Sequence, residues 1–211
     1  METQKGIEGV GVRIELWSES DLGLLRAANA PELMTELGGP ESEEKLLSRH
    51  RRYVELSADP EGTGRMYAIV LAETGERVGT VGLWEQESVS EGLAAYEAGW
   101  GVLTPFQGRG IAAAATRAVI AVARAAGRHR YLYAYPKVTN GASNAVCRKT
   151  GFELRGEVGL EYPPGNPIRS NEWRLDLRPG EAAEPGEGGG TGRTGDAGDA
   201  GGTGGTGGAG G

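Results

Sequence analysis

The segment PFQGRGIAAAATRAVIAVARAAG, Pro105 to Gly127, joins two glycines to the most regular helical pattern in the chain. Glycine weakens a helix start, yet Gly108 and Gly110 stand directly before an apolar stripe of Ile111, Ala115, Ala118, Val119 and Val122, and Gly127 supplies the stop. One explanation is that the backbone here approaches something closely. The free N–H groups and positive end of a helix then favour an anion, with Gly108 and Gly110 removing side chains that would block it. A tight strand-to-helix turn without any ligand would use the same two glycines, so the loop alone leaves both readings open.

The rest of the pattern gives this loop its setting. VRIELW (Val12 to Trp17) reads as a strand, and SESDLGLLRAANA as a helix capped by Ser18 or Ser20. PELMTELGGPES carries a Gly-Gly-Pro break, after which Ser42 caps a second helix whose first turn is acidic. Met66 to Leu71 and Arg77 to Trp84 form a hairpin around Glu73 to Glu76. AAYEAGWGVL is a further strand, with Glu97, Gly99 and Gly101 on one face, and the bare glycines mark a close approach. RYLYAYP is a short buried strand, NGASNAVCRKTGF a compact helix ending at Gly151, and FELRGEVGLEYP and SNEWRLDL two strands around PPGNP. The order β-α-α-β-β-β-α-β-α-β-β makes a mixed α/β (α+β) domain over residues 1–178.

From Pro179 onward the chain has no aromatic, Val, Ile or Leu to bury. Such a segment cannot offset a backbone ordering cost of about 1–2 kcal/mol per residue, so residues 179–211 are expected to be a disordered, Gly-rich acidic tail. A net charge of −7 argues against nucleic-acid binding, which needs clustered Lys and Arg. The N-terminus lacks the apolar core of a secretory signal, and no run approaches the roughly 18 apolar residues of a membrane span. The single cysteine, Cys147, allows no intrachain disulfide, and His50 and His129 have no ligand-like spacing. A cytoplasmic protein without structural metal or membrane contact is expected.

G-x-x-x-x-G-K-[ST] is absent, and GWGVLTPFQGRG lacks the dinucleotide-binding register, so nucleotide hydrolysis and hydride transfer lose their support. QGRGIA, Gln107 to Ala112, instead resembles the [QR]-x-x-G-x-[GA] acyl-CoA pyrophosphate loop of the GNAT superfamily of N-acetyltransferases. NGASNAVCRKTGF is similar to that family's next motif at Asn140, Ser143, Val146, Lys149, Gly151 and Phe152. The resemblance spans about Val12 to Leu177 and is nearest to the branch of ribosomal-protein N-terminal acetyltransferases, which also holds many small-molecule acetyltransferases. It implies a mostly antiparallel central sheet flanked by helices, with a splayed strand pair holding acetyl-CoA.

The resemblance also implies roles. The edge of the Glu97 to Leu103 strand would bind the pantetheine arm, with a main-chain N–H near Val102 or Leu103 facing the thioester. Gln107, Gly108, Arg109, Gly110, Ile111 and Ala112 would hold the pyrophosphate. Asn140 and Asn144 would hydrogen-bond the cofactor arm, Asn140 also serving as a helix cap, and Lys149 would meet its phosphates. A free alkyl amine is mostly protonated at neutral pH, so a base is needed. Glu97 and Glu161 compete for that role, Glu161 being the nearer match to the branch's spacing. Many relatives carry a tyrosine beside the leaving sulfur where this chain has Cys147, so Ser143 or Cys147 is left to assist the thiolate. The expected activity is direct acetyl transfer to a primary amine of a small molecule. Alternatives are a peptide N-terminus as acceptor, or a silent acyl-CoA-binding module. A homodimer is left open.

Overall fold

The computed structural model describes residues 11–59, 62–162 and 164–178. The expectations for the first ten residues and for the tail at 179–211 lie outside the described residues. The elements are β1 (Val12–Leu16), α1 (Leu22–Ala28), α2 (Pro31–Met34), α3 (Glu43–Ala58), β2 (Gly64–Leu71), β3 (Arg77–Glu87), β4 (Ala94–Val102), α4 (Ile111–Ala126), β5 (Tyr131–Ala134), α5 (Gly141–Lys149), β6 (Glu153–Glu161) and β7 (Pro167–Asp176).

Local chemistry sets most of these ends. Ser18 opens a short 3-10 turn by donating its N–H to Asp21 Oδ2 (2.8 Å), and α1 follows from that turn. The Ser42 hydroxyl accepts the Lys45 N–H (3.4 Å) above an acidic first turn of Glu43 and Glu44. One departure from expectation appears here. Pro31 starts an extra helical turn, α2, inside the segment read as a break. Proline fits there because a first helical residue has no intrahelical use for its N–H. The apolar stripe of α4 is also rotated: Thr116, Ile120 and Ala123 are buried, whereas Ala118 and Val122 are half-buried.

The seven strands form one sheet in the order β1-β2-β3-β4-β5-β7-β6. Every neighbouring pair is antiparallel except β4 and β5, which run parallel and touch only at Tyr96↔Leu132 and Glu97↔Tyr133. Beyond Glu97 the two strands separate, which is the splayed pair expected from the sequence. One sheet face packs on α1 and α3 through Leu24, Leu25, Leu46, Tyr53 and Trp84. The other packs on α4 and α5 through Val81, Trp100, Ile111, Val119 and Leu132. Each fully buried aliphatic side chain there contributes about 1.5–3 kcal/mol, so both sides of the split are held by a solid core. Among the described residues no helix is long and apolar enough to cross a membrane, and no three His, Cys, Asp or Glu side chains gather where they could hold a metal ion.

Candidate active site

β4 ends where the chain turns through Thr104, Pro105 and Phe106 into the glycine loop. Gly108 and Gly110 both take left-handed backbone angles, φ 73° and 80°, which L side chains adopt only at a cost. No atom lies within 4 Å of where a Cβ would stand on either glycine. The space in front of the loop is therefore open, as a ligand site requires, and not filled by the protein's own packing. Ala114 donates its N–H to the Gly110 carbonyl (3.0 Å), so the N–H groups of Ile111, Ala112 and Ala113 precede the first intrahelical bond. These three residues, with Gln107, Gly108 and Gly110, line a cavity of about 490 Å³.

The free edge of β4 continues this cavity. Within a strand the N–H and C=O of one residue share a side, and the side alternates from residue to residue. Leu103 donates its N–H to the Val78 carbonyl of β3 (2.9 Å), so Leu103 is already paired and cannot face a ligand. Val102 faces the opposite, open edge, where its carbonyl accepts the Gln107 side-chain amide (2.9 Å). Of the two main-chain donors expected from the sequence, Val102 remains. Asn140 and Lys149 also line the cavity, whereas Arg109 does not; it is exposed, with its guanidinium over the Phe106 ring at 5.8 Å.

Asn144 is buried and fully engaged. It donates to the carbonyls of Lys137 (2.9 Å) and Asn140 (2.7 Å) and accepts from the Asn171 amide (2.7 Å) and the Trp173 indole (2.8 Å). Its role is to bolt α5 onto β7 rather than to hold a ligand. Asn144→Ala is expected to cost about 2–4 kcal/mol, because the buried Trp173 indole and the half-buried Asn171 amide lose their acceptor. Thermal melting would register that loss while the KM for acetyl-CoA stays put. Cys147 is likewise a core residue: it is fully buried, lines neither cavity, and burial pushes its thiol up to about 12. That placement removes it as a proton donor. Ser143 stays in contention, because it lines both cavities and its hydroxyl makes no hydrogen bond to the described residues; its N–H is held by the Asn140 cap (3.0 Å).

A second cavity of about 480 Å³ lies at the mouth of the split and shares Glu36, Trp100, Asn140 and Ser143 with the first. Its charged lining is Glu36, Glu87, Glu97 and Glu161 against Lys137 alone. Glu97 stands on β4 at the last rung before the strands part. Burial pushes its carboxyl up to about 8, and no described cation pairs with it. The Trp84 indole, opposite Glu97 on β3, eases the burial slightly without reaching a hydrogen bond of ordinary geometry. Glu161 behaves differently. It is exposed at the end of β6, and its Oε2 accepts the Gly165 N–H (3.0 Å), closing the turn into β7.

Neither Tyr135 nor Glu172 was among the expected site residues. Tyr135 lines the second cavity and stacks on Tyr133 with ring centroids 6.0 Å apart. A signal was present in YLYAY, whose period of two puts Tyr131, Tyr133 and Tyr135 on one face. Nothing in the sequence pointed from Ser90 to Glu172.

An acetyltransferase (GNAT) domain model matches residues 12–153. No curated protein matches the sequence. Solved structures do. One is the acetyl transferase from Salmonella typhimurium that modifies the N-terminal serine of the 50S ribosomal subunit protein L7/L12. It is 23% identical with a TM-score of 0.64, over 81% of this chain and 97% of that one. An aminoglycoside acetyltransferase in complex with coenzyme A is 18% identical, with a TM-score of 0.63 over 79% and 95% of the two chains. The spermidine N-acetyltransferase from Vibrio cholerae, in complex with CoA and spermine, is 15% identical with a TM-score of 0.62 over the same shares. At these identities the likeness is one of fold.

Proposed function

Because this chain belongs to the GNAT acetyltransferase family, we propose that it moves the acetyl group of acetyl-CoA directly onto a small primary amine that carries further positive charge, with Glu97 receiving the proton. Acetyl-CoA supplies the activated thioester. The residues fit such a donor: two left-handed glycines front open space, free helix N–H groups follow them, and the Val102 edge of β4 leads inward. Gln107 to Ala112 would hold its phosphates, with Lys149 at the rim.

The observation that carries the acceptor reading is the second cavity. With Glu97 mostly protonated at pH 7, the carboxylates of Glu36, Glu87 and Glu161 outnumber the Lys137 ammonium, which itself pairs with Glu36 (3.8 Å), and a cleft with low-dielectric walls focuses their attraction for a cation. Glu97 then has a defined task. An amine with a pKa near that of lysine would give its proton to an ordinary carboxylate only against about 8 kcal/mol; a carboxyl raised to about 8 reduces the gap to about 3 kcal/mol. Glu161, exposed and tied to its turn, serves better as part of the acidic wall. The Ser143 hydroxyl, at the junction of the two cavities, supports a role in hydrogen-bonding the departing thiolate.

Thiol release from acetyl-CoA tests this reading against a panel of monoamines, diamines and short peptides. At low salt a diamine is expected to exceed the monoamine of equal length by about tenfold in kcat/KM, one extra charge contact of about 1.4 kcal/mol, and the advantage should shrink at 0.5 M salt. Equal rates for the two, or a peptide N-terminus as the best acceptor, would overturn the small-cation reading. Acetyl-CoA binding with no turnover on any amine would instead favour the silent module.

A further inference from the structure

The Ser88 to Leu93 connection between β3 and β4 does not hang in solvent. It folds back over the face of β5 and β7 that carries Tyr133, Tyr135, Glu172 and Arg174, and three consecutive residues are pinned there. Val89 donates its N–H to the Tyr135 hydroxyl (3.1 Å). Ser90 donates both its N–H (3.2 Å) and its hydroxyl to the Glu172 carboxylate, to which Tyr135 also donates (3.3 Å). Glu91 accepts from the Tyr133 hydroxyl (2.6 Å) and from Arg174 (3.2 Å). The segment also closes on itself, with the Leu93 N–H on the Ser88 hydroxyl (3.0 Å) and the Gly92 N–H on the Ser88 carbonyl (2.9 Å).

Glu172 is the unusual member. It is 2% exposed, and its carboxylate collects three donors without a cation among them. Burying a carboxylate is costly unless donors surround it, and two of these three come from Ser90. The consequence reaches the second cavity, because Ser88 and Val89 form its wall beside Glu97 and Tyr135. Tyr133, whose hydroxyl holds Glu91, is the β5 partner of Glu97.

We propose that Glu172 is a positioning residue for the acceptor: through Ser90 it holds the Ser88 to Gly92 strap down as one wall of the amine cavity, and so sets how tightly the amine is seated against Glu97. The proposal rests on the reading of the second cavity as the acceptor site. It assigns Glu172 no contact with either substrate, and it separates the two substrates, because the strap lines the second cavity and not the first.

Ser90 is exposed, so it can be changed without disturbing the core. In Ser90→Ala the KM for the preferred amine is expected to rise about tenfold, the loss of one hydrogen bond to a charged group, while the KM for acetyl-CoA stays within about twofold. Ser90→Thr, which keeps the hydroxyl, should restore the amine KM. Glu172→Gln should match or exceed Ser90→Ala, since an amide cannot accept all three donors; if Glu172→Gln does not fold, the Ser90 pair carries the test. An unchanged amine KM in Ser90→Ala, a failed Ser90→Thr rescue, or an equal rise in both KM values would overturn the proposal. The diamine preference of the wild type, measured alongside, separates the failures. If the diamine exceeds the monoamine while Ser90→Ala does nothing, the strap alone is wrong; if the two amines react equally, the acceptor reading and the strap fall together.

Discussion

Replacing Glu97 with Gln is expected to lower kcat by 10²–10⁴-fold at pH 7, roughly the worth of a positioned general base, and to leave acetyl-CoA affinity unchanged. The pH dependence gives the sign. A base works in its ionised form, so wild-type kcat/KM should climb with pH and reach half its maximum near pH 8, the value to which burial raises the Glu97 carboxyl. In Glu97→Gln that limb should vanish. Stability should move the other way. A carboxyl whose folded pKa lies above its unfolded value adds stability that is complete below about pH 4.5 and is lost as pH rises through about 8. The Gln variant has no such loss, so its Tm should gain on wild type steadily from pH 5 to pH 9. A variant with full activity and a wild-type pH profile would return the role of base to Glu161 or to water.

The second large effect is expected at Gly110. Valine there must adopt φ near 80°, a left-handed conformation that costs about 1–2 kcal/mol, yet nothing within 4 Å obstructs its Cβ, so the fold should survive. The same side chain would stand in front of the first N–H groups of α4. Loss of two hydrogen bonds to phosphate, at about 1.5 kcal/mol or more each, is on the order of 10²-fold in Kd for acetyl-CoA. Gly127 provides an internal control at the other end of the same helix. It too is left-handed, at φ 63°, with open space around its Cβ. Gly127→Val should lose similar stability and keep full acetyl-CoA affinity. Parallel losses of affinity in both variants would mean that the loop glycines serve only the turn.

What could be read from the chain was what neighbours in sequence determine. Ser42, Asn140 and Gly127 act as caps because capping is settled within three or four residues. The two loop glycines stood out as a close approach or a tight turn for the same reason, and the structure adds that both take positive φ. The bare face of β4 followed from its period of two. α2 was hidden because Gly38, Gly39 and Pro40 dominate a segment whose Pro31 starts a helical turn just upstream. The choice between Val102 and Leu103 needed the register of β4 against β3, which fixes which residue faces the open edge. The choice between Glu97 and Glu161 was harder. It depends on the surroundings each carboxylate acquires in the fold, and the cavity wall beside Glu97 includes Ser88 and Val89, whose strap is anchored through Ser90 to Glu172, 82 residues further along the chain from Ser90. Cys147 misled for a related reason: its helical spacing from Ser143 is real, but the packing of α5 turns it into the core.

In the proposed reaction one cavity takes acetyl-CoA and the adjoining one takes a cationic amine. The direct measurement is steady-state thiol release with acetyl-CoA and a diamine, both concentrations varied, and the product examined by mass spectrometry. Saturation by each substrate and one acetyl group on an amine nitrogen for each thiol released are the predicted results. Thiol release that does not depend on amine concentration, or an acetyl group that remains on the protein, would contradict it.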